Sequence, residues 1–518
     1  MKRLKQYLCN AALLTMTTLF MRGVALAFNV FISNKVGAEA LGLFSLISSV
    51  YGFALTLATS GISLATTRMV AEALGHDDDR LAIASMRRCF AYSVFFGLSA
   101  ALLLFFLAPL ISSRWLDDQR TLTPLRLMSI SLPLIAVCSA LNGYFTAVRR
   151  VAKNAVSQVA EQAIKIAVTT FLLLSVLPKG IENACIALIL GSTVSEVFSF
   201  FLMMILYIRD RRKHLRGDGR TENGKAVSKR LLGIALPVAF STYARSGLLT
   251  VEHILIPDGL RKSGASRENS LASYGTFQSM AFPVILFPAA LIASFAGMTI
   301  PELSDCLARG HKNRVRYIAG RVWQFSLIFS VGVSGILLCF SGEIGMLFYN
   351  SEEAAEYIRL LAPLIPVMYL DSTTDAMLKG LGHQFYSMNV NIIDAALSVV
   401  LVKLLIPRFG INGYIFIVFA MEVLNFGLSA AKLLRSSGMK PRLIQWLLKP
   451  LLCTVGAAAF TSLAYGFLPQ INVPWLALTL HILTAVLIYL FLLAITGTLD
   501  REDREWLRGV FRKSDKDS

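Results

Sequence analysis

Glu161 and Lys165 stand one helical turn apart in SQVAEQAIKIAV (157–168), a stretch otherwise apolar enough to enter a bilayer. Ionisable groups inside a spanning helix are costly unless they face protein or water, so each is a functional candidate. With the acid first, the i, i+4 spacing favours an ion pair. That pair reads as a structural lock or an inner gate, with Lys165, nearer the midplane, the one placed to meet phosphates. Arg22 in TLFMRGVALAF and Arg245 in FSTYARSGLLT interrupt two other apolar runs. Guanidinium forks donate paired hydrogen bonds to phosphate oxygens, so two of them at comparable depth suit an anionic ligand in a cleft. The alternative is that each arginine pairs privately with a buried carbonyl or carboxylate and locks helices together.

Other residues suggest gating or ion coupling. Asp371 and Asp375 in YLDSTTDAMLKG share one helix face. Two carboxylates so placed repel, which points to a proton, a Na⁺ ion or Arg359 between them, or to solvation in a water-filled cavity. Glu252 and His253 in TVEHILIPDG are candidates because histidine changes charge near neutral pH. The loop expected at Pro257 would also let both snorkel to water. Glu196 and Glu422 are expected to serve helix packing. Pro283 and Pro288 in FPVILFPAALI remove backbone hydrogen bonds and make a hinge or a fixed kink. Seven scattered cysteines and six isolated histidines give neither a disulfide framework nor a metal site, and no cofactor motif is present.

The elements that hold these residues are membrane helices. Of 518 residues 55% are hydrophobic and 16% charged, and the mean hydropathy is +0.62. A hydrocarbon core about 30 Å thick needs about 20 apolar residues per helix. Fourteen such stretches run from 11–32 to 474–496, among them 154–177, 231–257, 271–300 and 356–380. The alternating ten-residue segments of a membrane barrel are absent. The net charge of +18 would fit a nucleic-acid binder, but its distribution excludes that class. Counting from an inside N-terminus, the inner loops and tails hold 36 Lys and Arg, the outer loops eight, and the spans six. This is the positive-inside pattern of a multi-pass protein of the cytoplasmic membrane with both termini in the cytoplasm. The start, MKRLKQYLCNAALLTMTTLF, imitates a signal peptide. Arg22 and the apolar character continuing through Phe31 favour an uncleaved first span instead.

The expected fold is all-α, with two pseudo-symmetric six-helix halves, 1–208 and 231–434, joined by a basic cytoplasmic linker, 209–230. Two further helices occupy 435–496, and 497–518 forms a cytoplasmic tail whose Leu499, Trp506, Leu507, Val510 and Phe511 would lie on an anionic leaflet. A shift of 233 residues lays LRLMSISLPLI (125–135) on IRLLAPLIPVM (358–368), and brings Glu161 onto Asp394 and Lys165 onto Ser398. A shift of 235 matches Gly75 and His76 to Gly310 and His311. Six spans per half, an even number, relate the halves by an axis along the membrane normal, as in transporters that rock about a central site.

GAEALGLFSLISSVYGFALTLATSGISLATTRMVAE (37–72), LNGYFTAVRRVAKNAVSQVAEQ (141–162) and YGTFQSMAFPVILFPAALIASFAGMTIPELSDCLARG (274–310) resemble the stage V sporulation protein B branch of the lipid-linked oligosaccharide and polysaccharide flippases. These belong to the multidrug/oligosaccharidyl-lipid/polysaccharide exporter superfamily, with the lipid II flippases. The resemblance implies a flippase, not an enzyme. It would carry a polyprenyl-diphosphate-linked precursor of cell wall or polysaccharide by alternating access, with Arg22, Arg245 and Lys165 toward the diphosphate. It also implies that the last two helices form a groove for the lipid tail. RRVAKNAVSQVAEQ lacks the longer Met-Pro-Thr type of turn common before this segment, which leaves the cargo open. Partners would be the lipid-linked anionic sugar, membrane lipids and envelope-synthesis enzymes. The coupling would be to Na⁺, H⁺ or the membrane potential. An ion-coupled multidrug exporter, a membrane glycosyltransferase and a scaffold for envelope synthesis are the competing readings.

Overall fold

The structure, a computed structural model, describes residues 2–176, 180–215, 224–465 and 473–498. Sixteen α-helices follow one another: α1 (Lys2–Thr59), α2 (Ile62–Gly75), α3 (Asp79–Leu110), α4 (Leu122–Ser129), α5 (Leu132–Ala147), α6 (Val151–Val176), α7 (Ile181–His214), α8 (Gly224–Lys262), α9 (Arg267–Gly275), α10 (Phe282–Ala308), α11 (Lys312–Tyr349), α12 (Glu352–Leu361), α13 (Ile365–Gly380), α14 (Gln384–Ser437), α15 (Lys449–Tyr465) and α16 (Pro474–Ile495). Among the described residues there is no strand.

Nine helical stretches of the described residues are long and apolar enough to cross a membrane, or ten if α4 and α5, bent by 45°, form one span. Two of the long rods are not single helices. Gly37 (φ 80°) breaks α1 and Gly410 (φ 58°) breaks α14, each in a backbone region that only glycine enters readily. α6, which carries Glu161 and Lys165, is not among the nine. The expected basic linker is shorter than the sequence suggests, because α7 continues to His214 and α8 begins at Gly224. The tail helix expected over 497–518 lies almost wholly outside the described residues.

Local signals end the helices where the chain must turn. Asp78 accepts a hydrogen bond from the Leu81 amide at 2.9 Å, and Ser351 accepts one from the Ala354 amide at 3.1 Å, each filling an orphan donor of a first turn. Bulky apolar side chains such as Phe106, Phe171, Phe240 and Phe491 stand exposed along the helices, as a lipid-facing surface requires.

The chain divides into two compact units. The first holds Met1–Met280 and Asn391–Ile417, and the second holds Ala281–Val390 and Val418–Ser518. In the first, α1 packs on α8 and α9, α3 on α5, and α6 on α7. Its core includes Tyr144, Phe145, Met86 and Leu141. In the second, α11 packs on α12, α13 and α15, and Trp323, Met377, Leu433 and Trp446 lie in one apolar cluster.

Candidate functional site

The first unit contains a polar cavity of about 420 Å³. Thr59 and Ser63 at the α1–α2 break, Cys138 and Asn142 on α5, Ser157, Gln158 and Glu161 on α6, and Glu196 and Ser199 on α7 line it. Tyr51 orders its far wall: its hydroxyl lies 2.8 Å from Ser131 Oγ and donates to Glu196 Oε2 at 3.4 Å. Ser157 and Ser199 close the α6–α7 seam at 3.2 Å. Glu161 and Lys165 both act electrostatically on Glu196. No ion pair within 4 Å joins Glu161 to Lys165, so the pairing expected from their spacing is not made. The acid's neighbour is Glu196, for which the sequence suggests only helix packing. Two carboxylates on the walls of one polar cavity can share a proton or a small cation.

A second cluster surrounds Glu252 and His253 on α8. Ser398 Oγ donates to Glu252 Oε1 at 2.7 Å, and Tyr274 Oη lies 3.1 Å from His253 Nδ1. Asp394 is near enough for its charge to act on Glu252. Because α8 runs on to Lys262 rather than ending near Pro257, Glu252 sits ten residues, about 15 Å, from the helix end. Both groups make their side-chain contacts with α14 and α9.

Arg22 and Arg245 are both exposed on their helices, and among the described residues neither enters an ion pair or side-chain hydrogen bond. A private lock thus has no partner group among the described residues. Around Arg245, α8 is stitched to α1 at three levels. Tyr243 Oη donates to Leu57 O, Ser246 Oγ to Thr56 Oγ1, and Thr250 Oγ1 to Ser49 O, each at 3.1 Å. The stitching fixes the rod that presents the arginine.

At the other end of these helices an ionic network joins α1, α8 and α9 to the α3–α4 connection. Arg120 bridges Glu39 at 3.1 Å and Asp118 at 2.8 Å, Arg261 reaches Asp117 at 2.8 Å, and Arg267 reaches Asp118 at 3.5 Å. Burial works against the Asp118 charge, but hydrogen bonds from Arg120 outweigh it and hold the carboxyl below the usual range. The hydrogen bond from Arg261 does the same for Asp117. The sequence carries no signal for this network because its members lie far apart along the chain.

In the second unit Asp375 Oδ1 accepts from Ser387 Oγ at 2.7 Å, and Asp371 lies one turn earlier on α13. Pro283 falls in the first turn of α10, directly after the π-helical turn Thr276–Ala281. Pro288 and Pro301 lie further along α10, and each proline lacks the amide that would continue the backbone hydrogen bonding. A cavity of about 420 Å³ between α11, α15 and α16 is lined by Gly332, Gly335, Ala457, Ala458, Ala485 and Tyr489, among others. No group of three metal-ligating side chains occurs among the described residues.

Comparison with known proteins gives a consistent picture. Residues 7–307 match the family described as polysaccharide biosynthesis protein, and residues 264–404 match MatE. Stage V sporulation protein B of Bacillus subtilis strain 168 is 26% identical over 391 residues, 74% of this chain and 75% of that protein. The lipid II flippase MurJ of the same organism is 23% identical over 415 residues, 75% of each chain. A solved structure of lipid II flippase MurJ in an inward closed conformation superposes with a TM-score of 0.71 at 16% identity, covering 94% of this chain and 99% of that one. The resemblance drawn from the three quoted segments is thereby met in both sequence and fold.

Proposed function

The chain belongs to the polysaccharide biosynthesis protein family, and from that premise we propose that it flips a polyprenyl-diphosphate-linked sugar across the cytoplasmic membrane by alternating access. It is a multi-pass helical membrane protein, and its likeness to a lipid II flippase and its MatE match support transport rather than enzymic chemistry. The observation that carries the proposal is the pair Arg22 and Arg245, exposed on helices of one unit and free of carboxylate partners. A guanidinium without an internal counter-ion is suited to a phosphate ligand. Lys165 adds a third cation.

We read the chain as fourteen spans with both termini cytoplasmic, in two six-helix halves, 1–208 and 231–434. The glycine breaks inside α1 and α14, the lysine and arginine distribution and the 233-residue repeat support this count. The cavity on α15 and α16 suits an isoprenoid tail that stays in lipid while the head crosses. Glu161 with Glu196, and Glu252 with Asp394, are the sites we assign to coupling with Na⁺ or H⁺; Asp371 and Asp375 form a further candidate. Pro288 supplies the hinge. Envelope-synthesis enzymes are proposed partners.

The test is reconstitution in liposomes with a labelled polyprenyl-diphosphate sugar, followed by its accessibility to an enzyme added outside. Protein-containing vesicles should expose the label faster than empty ones; equal rates refute the proposal. A second reading, an ion-coupled multidrug exporter, is favoured by the MatE match over 264–404 and the acidic clusters. It predicts efflux of a cationic dye from the same vesicles.

A further inference from the structure

The second unit holds a cavity of about 650 Å³ that the proposed cargo path does not use. It lies between the first turns of α11 and the segment joining α14 to α15. Arg316, Arg321, Lys440 and Arg442 line it, with no acidic residue among its walls. The carboxylates on neighbouring α10 are taken: Glu302 pairs with Arg314 at 3.1 Å and Asp305 with Arg309 at 2.9 Å. Among the described residues neither Arg316 nor Lys440 enters an ion pair. Four cations in one hollow repel, so the arrangement suits a polyanionic occupant.

The cavity is built rather than incidental. Gly438 caps α14 in a left-handed conformation (φ 65°), and a side chain there would meet the Arg316 guanidinium at 3.4 Å. At Gly320 the Trp446 and Met439 side chains pack on α11, the Trp446 ring 3.5 Å from where a Cβ would sit. Those two side chains belong to the apolar cluster beneath the cavity. Arg321 is aimed by Tyr317, whose ring centroid is 5.1 Å from its guanidinium carbon, and donates to Gln324 Oε1 at 3.1 Å.

Two features select a lipid over a soluble anion. Leu443, Ile444 and Leu448, beside the cations on the same segment, are exposed at 58%, 68% and 52%. Tyr317, exposed beside the cations, supplies an aromatic ring of the kind found at a membrane interface. A basic pocket flanked by apolar surface on the face of a bilayer matches a phospholipid whose phosphates enter while its chains lie along the protein. We propose that this cavity binds an anionic phospholipid carrying two phosphates, on the membrane face that also bears the chain's other basic loops. The proposal stands apart from the cargo reading, since none of its residues is assigned to the cargo.

The test is native mass spectrometry of the purified full-length protein, titrated with diphosphatidylglycerol, phosphatidylglycerol, phosphatidylcholine, polyprenyl diphosphate and inorganic pyrophosphate. One diphosphatidylglycerol should bind at least about tenfold tighter than phosphatidylcholine, and the triple variant Arg316→Gln, Arg321→Gln, Arg442→Gln should lose that preference. Arg309→Gln with Arg314→Gln, outside the cavity, should keep it. Should the triple variant not fold, Lys440→Gln, at an exposed position, should weaken binding about twofold to threefold. Equal binding by wild type and the cavity variants overturns the proposal. So does tighter binding of polyprenyl diphosphate, which would make this a cargo site, or equal affinity for pyrophosphate, which would make it a soluble-anion site.

Discussion

Gly42 on α1 and Gly275 at the end of α9 meet backbone to backbone. A Cβ on Gly42 would lie 1.9 Å from Leu271 O, and one on Gly275 would lie 2.2 Å from Ala38 O and 2.5 Å from Gly42 N. The two glycines are 233 positions apart, the same shift that aligns Glu161 with Asp394. Close by, Ser45 Oγ and Ser279 Oγ are 2.5 Å apart, and Asn29 Nδ2 donates to Ser279 O at 2.6 Å. Gly42 and Gly275, which that shift pairs, thus lie in one seam with Ser45, Ser279 and Asn29.

Gly42→Val should disrupt this seam. Neither backbone can yield, so overpacking of about 1–3 kcal/mol or more is expected, read as a lower melting temperature of the purified protein. Gly52→Ala on the same rod, where a Cβ meets nothing within 4 Å, should be neutral or mildly stabilising. Equal losses at both positions would refute the close-packing argument.

Asp210 should prove structurally indispensable. Its side chain is 1% exposed and receives hydrogen bonds from Tyr144, Arg150 and Lys153, with His214 Nδ1 at 3.9 Å. Asp210→Asn leaves two cations facing a neutral group, so a loss of about 3–5 kcal/mol is expected. A melting temperature unchanged from wild type would contradict this.

The ionic network of Asp117 and Asp118 gives a pH signature. Both carboxyls are held below their ordinary value, so their contribution is fully present above about pH 4, the unfolded range of Asp. It is lost as pH falls through their folded values. Melting temperature measured from pH 7 to pH 3 should stay level near neutrality and then drop. Asp118→Asn should start lower, by about 1–3 kcal/mol in stability, and drop less in acid. Parallel curves for the two proteins would remove Asp118 from the effect.

Glu161→Gln combined with Glu196→Gln should uncouple transport without unfolding the protein. In vesicles carrying a Na⁺ or pH gradient, wild-type flipping should respond to the gradient by about tenfold, roughly 1.4 kcal/mol. The double variant should flip at one rate with or without it. A full response in the variant would exclude this cavity from coupling.

The class of fold was legible because bilayer burial imposes long apolar runs, and the sorting of lysine and arginine ties those runs to one direction. What escaped the sequence depended on chain segments far apart. Asp210 stands in IRDRRK, where it reads as one acid in a basic linker, and only the extension of α7 to His214 brings Tyr144 and Lys153 to it. Glu196 gave no periodic signal distinguishing a cavity wall from a packing face. The i, i+4 rule for Glu161 and Lys165 describes an isolated helix, and here α7 offers Glu161 a second field to answer. In the sequence Ser398 is only the repeat mate of Lys165; its bond to Glu252 needs α14 and α8 to be neighbours.

The most direct measurement of the central claim is the initial rate at which liposome-reconstituted protein exposes a labelled polyprenyl-diphosphate sugar, compared between wild type and the double variant Arg22→Ala, Arg245→Ala. The account predicts at least about a tenfold loss in the variant, equivalent to about 1.4 kcal/mol of diphosphate recognition, with an unchanged melting temperature. A variant as fast as wild type would contradict it.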